Sequence, residues 1–305
     1  MSSVKSNLLL LVAAAIWGLA FVAQRVGMEH VGPFTFNGVR FALGSLSLLP
    51  LLFFYRNKPR QTGGQNPQNV ALAGLIAGLI LFTAASLQQI GLLYTTAGKA
   101  AFITCLYIVL VPILGIFLKQ RVSNSTWLSC GLAVVGLYLL CVKESFTISY
   151  GDFLQMVGAM FWAMHILLID YYAGRVDVLK LSFYQFITCS VLSMVTALWS
   201  ESITLAGLSG AVIPLLYGGV FSVGVAYTLQ VIGQKYSPPA HAAIILSMET
   251  VFATLGGFLL LDERLGLQEL TGCGLMLTGM LLTQLQSVPS GAAAETAEGA
   301  GGKMG

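Results

Sequence analysis

The sequence carries little charge. Only 9% of its 305 residues are Asp, Glu, Lys or Arg, whereas 56% are hydrophobic. A soluble globular domain has about 25% charged residues. The low charge therefore excludes an ordinary soluble domain. The formal net charge of +3 is also too small to indicate a nucleic-acid partner.

The motifs of metal binding and nucleotide chemistry are also missing. The five cysteines form no CxxC pair and lie within or at the ends of apolar segments, which is typical of free, buried thiols. The three histidines are scattered, and the sequence has neither HExxH nor GxxxxGK[ST]. We therefore predict no metal, no cofactor and no catalytic residues. A polytopic membrane enzyme stays as a minor alternative.

Long apolar segments recur along the whole chain. A helix needs about 20 apolar residues to cross a bilayer, and backbone inside lipid must satisfy its own hydrogen bonds, which favours helices. We therefore predict an all-α polytopic membrane protein with ten transmembrane helices. The predicted spans are 7–27, 34–54, 70–93, 100–118, 126–142, 152–172, 179–199, 211–232, 242–261 and 267–286.

The distribution of basic residues predicts the orientation of these spans, because short cytoplasmic loops are enriched in Lys and Arg. One face of the predicted bundle collects ten: Lys5, Arg56, Lys58, Arg60, Lys119, Arg121, Arg175, Lys180, Lys235 and Lys303. The other face collects three: Lys99, Lys143 and Arg264. We expect a multi-pass protein of the cell (inner) membrane with both termini in the cytoplasm.

The chain also repeats itself. "QQIGLLYTTAGKAAFI" (88–103) pairs with "LQVIGQKYSPPAHAAII" (229–245), which places Tyr94 on Tyr236 at a shift of 142 residues. "CGLAVVGLYLL" pairs with "CGLMLTGMLL" at nearly the same shift. A near-constant shift between two long stretches indicates a duplicated unit.

Each copy contains five predicted spans. The first half is residues 1–143, the second half is residues 150–286, and residues 287–305 form a polar tail predicted to be disordered. Because five is odd, the second copy must enter the membrane from the opposite side. We therefore predict two inverted five-helix repeats, an architecture that in secondary transporters places the substrate near the midplane.

Several stretches resemble one known family. They are "AAIWGLAFV" in the first span, "GPFTFNGVRFALGSL" (32–46) in the second, and the frame "E…LDERL" that begins at Glu249. Over residues 7–286 the chain is similar to EamA-type carriers of the drug/metabolite transporter superfamily. The resemblance implies ten helices, both termini inside, and transport of small metabolites such as amino acids through a central cavity. The family often has proline after this carboxylate, whereas Thr250 follows Glu249 here.

Two charged residues lie well inside predicted spans. An ionisable group at the centre of a span costs about 2.5–3.5 kcal/mol on insertion scales, so it normally faces a cavity or a partner. We interpret Glu249 as facing a polar cavity, with a hydrogen-bonded structural carboxylate as the alternative. Arg40 is a candidate clamp for a substrate carboxylate, and it can equally snorkel towards the membrane surface or pair within the protein.

Aromatic and amide side chains complete the candidate site. Trp17 and Trp162 hold matching mid-span positions in the two halves and can line a site or simply pack. His165, three residues beyond Trp162, can relay protons or form a structural hydrogen bond. The predicted substrate-binding residues are Trp17, Arg40, Gln88, Gln89, Trp162, His165, Gln185, Gln230 and Glu249.

Together these features predict a secondary transporter, with export as the favoured direction, that moves a small-molecule substrate by alternating access within a lipid bilayer. Proton coupling through Glu249 or His165 is a further hypothesis. The alternatives are a passive facilitator or channel for small solutes, and the membrane enzyme.

Overall fold

The structure, a computed structural model, describes residues 3–55, 69–95, 97–120, 122–141, 149–260 and 266–286. Most of the polar stretch between the second and third predicted spans (56–69), the charged residues 262–264 of the "LDERL" frame and the predicted disordered tail 287–305 lie outside the described residues.

All regular secondary structure in the described residues is helical. We number the α-helices in chain order. They are α1 (Ser3–Gly27), α2 (Pro33–Tyr55), α3 (Val70–Gly91), α4 (Ala97–Cys105), α5 (Tyr107–Phe117), α6 (Asn124–Cys141), α7 (Tyr150–Ala173), α8 (Val178–Ser200), α9 (Leu205–Gly210), α10 (Val212–Leu216), α11 (Thr228–Gln234), α12 (Pro239–Leu246), α13 (Glu249–Leu260) and α14 (Leu267–Gln286). A π-helix, Tyr217–Tyr227, joins α10 to α11.

Seven helical segments in the described residues are long and apolar enough to cross a membrane. They are Val4–Gly27, Pro33–Phe54, Val70–Gly91, Ala100–Phe117, Tyr150–Ala173, Val178–Ser200 and Val212–Gln234. The three other predicted spans coincide with α6, with α12 followed by α13, and with α14. The prediction of a helical, polytopic membrane protein is confirmed, and the ten-span inverted arrangement stays a prediction.

Side chains at the helix starts explain where several helices begin. The Asn69 side chain accepts hydrogen bonds from the first backbone N–H groups of α3. Ser149 and Asp152 form a capping box at the start of α7, and Asp177 caps α8. Such caps satisfy N–H groups that have no partner within the helix.

Two of the predicted spans are each broken into two helices. Span 100–118 breaks between α4 and α5, and span 242–261 breaks between α12 and α13. At both breaks a backbone N–H donates to the carbonyl three residues back: Leu106 to Ile103 at 3.2 Å and Met248 to Ile245 at 3.2 Å. This tighter turn interrupts the α-helical pattern.

Glycines allow some helices to approach closely. A Cβ atom added at Gly74 would lie 2.2 Å from the Cβ of Tyr184, and one at Gly78 would lie 2.8 Å from the Gln185 carbonyl oxygen. Residues Gly74 and Gly78 form a GxxxG pair on α3, which therefore packs directly against the backbone of α8.

The main hydrophobic core joins the two halves. Its buried residues include Leu10 and Ile103 from the first half and Ile166, Ile244 and Met276 from the second. A polar cavity lies between the halves, beside this core.

Candidate functional site

A cavity lies among α1, α2, α3, the α4–α5 break, α7, the π-helix, α11 and the α12–α13 break. Its empty volume, including the part that is open to solvent, is about 540 Å³. It is lined by Trp17, Ala20, Phe21, Gln24, Arg40, Gln88, Thr104, Tyr107, Trp162, Ile166, Ser222, Tyr227, Gln230, Leu246 and Glu249. Both halves of the chain therefore contribute to one site.

Glu249 is the first residue of α13, directly after the second helix break. Its side chain is only 6% exposed. The Oε1 atom accepts a hydrogen bond from the Tyr107 hydroxyl at 3.3 Å and one from the Cys105 thiol at 3.3 Å. These first-half donors offset part of the cost of burying a carboxylate, and the cavity borders the rest of the side chain.

Arg40 is the cationic group of the cavity and is 3% exposed. Its guanidinium carbon lies 5.0 Å from the ring centroid of Phe41 and 5.6 Å from that of Phe36. Its Nε atom has no hydrogen-bond partner, and no ion pair to Arg40 is seen within the described part of the chain. A buried cation that lacks a counter-charge favours the binding of an anionic group.

Three aromatic rings form one wall of the cavity. Tyr227 lies between the two tryptophans, with centroid distances of 4.7 Å to Trp17 and 6.2 Å to Trp162. The Trp17 indole donates to the carbonyl of Ser222 at 3.1 Å, which fixes its ring against the π-helix. Such a wall can stack on an apolar or cationic part of a ligand.

Two of the predicted glutamines, Gln88 and Gln230, line the cavity. Gln24 joins them from α1 and was not predicted. The side-chain oxygens of Gln24 and Gln230 have no hydrogen-bond partner among the described residues. Buried polar atoms of this kind normally bind water or a ligand, so the cavity offers acceptors in addition to its two charges.

Three predicted site residues do not line the cavity. The His165 Nε2 atom and the Gln185 Oε1 atom form a hydrogen bond of 2.9 Å, and both side chains are fully buried. Gln89 is also fully buried, outside the cavity lining. For His165 the geometry therefore matches the structural hydrogen bond that the sequence left open.

Several lining residues were not predicted: Gln24, Thr104, Tyr107, Ser222 and Tyr227. Apart from Gln24, these are uncharged hydroxyl and aromatic residues, which are common in apolar spans, so composition does not mark them. One signal in the sequence could have identified Tyr107: the shift of 142 residues that pairs Tyr94 with Tyr236 also pairs Tyr107 with Glu249.

The described residues contain no group of three or more His, Cys, Asp or Glu side chains that could hold a metal ion. The cavity instead combines one cation, one carboxylate, amide acceptors and an aromatic wall, which suits a small organic ligand with charged groups.

Known proteins of one family match this chain over both halves. The EamA-like transporter family model matches twice, at residues 4–142 and 149–285. An uncharacterized transporter of Archaeoglobus fulgidus is 31% identical, over 92% of this chain and 86% of its own length. The uncharacterized transporter YoaV of Bacillus subtilis is 23% identical, over 92% of this chain and 96% of its own length.

A solved crystal structure has the same fold. It superposes with a TM-score of 0.78, covers 94% of this chain and 98% of its own, and is 17% identical in sequence. Because the family model covers both halves and the Archaeoglobus relative aligns over nearly the whole chain, this multi-pass membrane protein belongs to the EamA-like transporter family.

Proposed function

We propose that this protein is a secondary transporter that exports small dipolar metabolites, such as amino acids, across the cell (inner) membrane. The observation that carries the proposal is the cavity between the halves, which holds one buried cation, Arg40, and one buried carboxylate, Glu249.

The two charges suit the two ends of a dipolar ligand. Arg40 binds a ligand carboxylate, because its guanidinium offers several donors and has no acidic partner among the described residues. Glu249 binds a ligand ammonium group. The aromatic wall of Trp17, Trp162 and Tyr227 receives the remaining, less polar part of the ligand.

The transport cycle rests on the predicted architecture. Ten helices in two inverted five-helix repeats, with both termini in the cytoplasm, would rock about the central cavity and expose it to each side in turn. The double match of the family model and the repeat in the sequence support this arrangement. Proton coupling through Glu249 belongs to the same proposal, because this carboxylate lies in the cavity.

Transport into liposomes tests the proposal. Purified protein is reconstituted, and the uptake of radiolabelled L-phenylalanine, L-leucine and L-lysine is measured against concentration. We expect saturable uptake of at least one of them. Glu249→Gln and Arg40→Ala should each lower uptake at subsaturating substrate about tenfold or more, because each removes a charge-assisted contact.

The alternatives give different results. Flux that does not saturate indicates a passive channel. Chemical conversion of the solute without transport indicates an enzyme. Saturable uptake that is unchanged in both variants would contradict the assignment of the two charges to the ligand.

A further inference from the structure

We propose that Tyr107, together with Cys105, is a positioning residue that holds the Glu249 carboxylate in place from the opposite half of the chain. The proposal rests on the proposed function, because it assigns Glu249 to the ligand. It assigns Tyr107 no contact with the transported solute.

Tyr107 and Glu249 occupy equivalent places in the two halves. The repeat shift of 142 residues carries Tyr107 onto Glu249 and Leu106 onto Met248. Each residue is the first of the helix that follows a break, α5 in one half and α13 in the other.

The backbone at the two breaks supports this equivalence. Leu106 and Met248 each donate to the carbonyl three residues back at 3.2 Å. Four residues further on, Leu110 donates to Leu106 at 3.2 Å and Phe252 donates to Met248 at 3.0 Å. These two hydrogen bonds therefore occur at equivalent positions in both halves.

Tyr107 and Glu249 are also in direct contact. The two breaks meet at the cavity, where one supplies a donor and the other an acceptor. Both hydrogen bonds, from Tyr107 and from Cys105, fall on Oε1 of Glu249. No bond to Oε2 is seen within the described residues, so this oxygen stays available to a ligand.

The two carboxylate oxygens of Glu249 therefore have different surroundings. One carboxylate oxygen is held by the first half, and the other accepts no hydrogen bond from the described residues. A carboxylate whose rotamer is fixed in advance loses less entropy when it binds a cation. Removal of the Tyr107 hydroxyl should therefore weaken ligand binding although this hydroxyl does not itself bind the ligand.

Kinetics in liposomes test the positioning role. In Tyr107→Phe the ring remains and the donor is lost, so we expect KM for the transported amino acid to rise about tenfold while the maximal rate changes less than threefold. Tyr217→Phe is the matched control. The Tyr217 hydroxyl also bridges the halves, donating to the Ile16 carbonyl at 2.8 Å, but Tyr217 does not line the cavity. The KM of Tyr217→Phe should stay within twofold of the KM of the unsubstituted protein.

A second pair of variants keeps the test valid if Tyr107→Phe is unstable. Cys105→Ser retains a donor and should leave KM within threefold. Cys105→Ala removes the donor and should raise KM more than Cys105→Ser does. Equal values for the two variants would contradict a role for the Cys105 bond.

Infrared spectroscopy provides a readout that does not depend on transport. The band of the Glu249 carboxyl group is identified by its loss in Glu249→Gln. We expect this band to move in Tyr107→Phe and to stay unchanged in Tyr217→Phe. A band that does not move in Tyr107→Phe would overturn the proposal.

Failure of the positioning role and failure of the proposed function give different experimental results. If Glu249→Gln raises KM and Tyr107→Phe does not, the positioning role is wrong and the proposed function stands. If the infrared band moves in Tyr107→Phe but neither variant changes transport, the contact is real and Glu249 does not bind the ligand, which overturns the inference and that part of the proposed function.

Discussion

The start of α2 depends on a single carboxylate from the other half of the chain. Glu201, directly after α8, accepts hydrogen bonds from the backbone N–H groups of Phe34 and Thr35 at 2.8 Å each, and from the Thr35 hydroxyl at 2.6 Å. A carboxylate at this position satisfies N–H groups that lack helical partners and interacts favourably with the helix dipole. The Glu201 carboxylate therefore fixes the N-terminal end of α2, the helix that carries Arg40.

We predict that Glu201→Ala destabilises the protein by about 1–2 kcal/mol, the usual cost of losing a helix cap. Thermal unfolding in detergent should show a lower midpoint than in the original protein. Glu201→Gln retains an acceptor, so its loss in free energy of unfolding should be about half that of Glu201→Ala. An unchanged midpoint in Glu201→Ala would show that the cap contributes nothing to stability.

At the scale of the helices, close packing depends on a few glycines whereas other glycines are unconstrained. A Cβ atom at Gly78 would lie 2.5 Å from the Cβ of Thr188 on α8. A Cβ atom at Gly131 on α6 would meet no atom within 4 Å. The same substitution should therefore have opposite consequences at the two positions.

We predict that Gly78→Ala destabilises the protein by about 1–3 kcal/mol, because α3 and α8 must move apart to admit the methyl group. Gly131→Ala should be neutral or slightly stabilising, because alanine favours the helix more than glycine does. Thermal unfolding midpoints of the two variants, measured side by side, check this. Equal midpoints would contradict the close approach of α3 and α8.

The sequence predicts the helices better than it predicts their interruptions. Length and hydropathy locate α1, α2, α3, α7 and α8, because a membrane span needs a long run of apolar residues. The breaks at Leu106 and Met248 lie within runs that are equally apolar, so hydropathy cannot distinguish them from continuous helix. They depend on local hydrogen bonds that only the packed structure shows.

The candidate site, like the helices, is only partly predictable from the sequence. Arg40 and Glu249 were predictable because a buried charge is costly and must face a cavity or a partner. His165 and Gln185 are candidates as polar side chains within predicted spans, but they form a hydrogen bond of 2.9 Å with each other, and sequence alone cannot show which polar side chains pair. Tyr227 was not predicted, because a tyrosine within a span is unremarkable without knowledge of its neighbours.

At the scale of the whole molecule, hydrogen bonds connect the halves on several helices. The Ser6 hydroxyl donates to the Gly233 carbonyl at 2.6 Å, and the Gln155 amide donates to the Gln88 carbonyl at 2.9 Å. In both, a side chain of one half binds the backbone of the other. The halves therefore form one body in this conformation, and movement of one against the other must exchange these bonds for others.

We predict that reporter fusions will place the polar stretch 56–69 and the C-terminal tail on the same, cytoplasmic side. The physical reason is the concentration of Lys and Arg in the short loops of one face of the predicted bundle, to which both 56–69 and the tail belong. A fusion within the segment between the two halves, near residue 145, should report the opposite side. Fusions that place 56–69 and the tail on opposite sides would contradict the inverted repeat.

The π-helix Tyr217–Tyr227 makes the orientation of Gln230 depend on how many residues precede it. A wide turn accommodates extra residues within a helical span, and each residue of an ordinary α-helix advances the side-chain direction by about 100°. If the span shortened by one residue and rewound as an α-helix, α11 would rotate by about that angle and turn Gln230 away from the cavity. The number of residues between Ser222 and Gln230 thus matters for the site as well as their identity. Deletion of one residue there should disturb the cavity more than most single substitutions do.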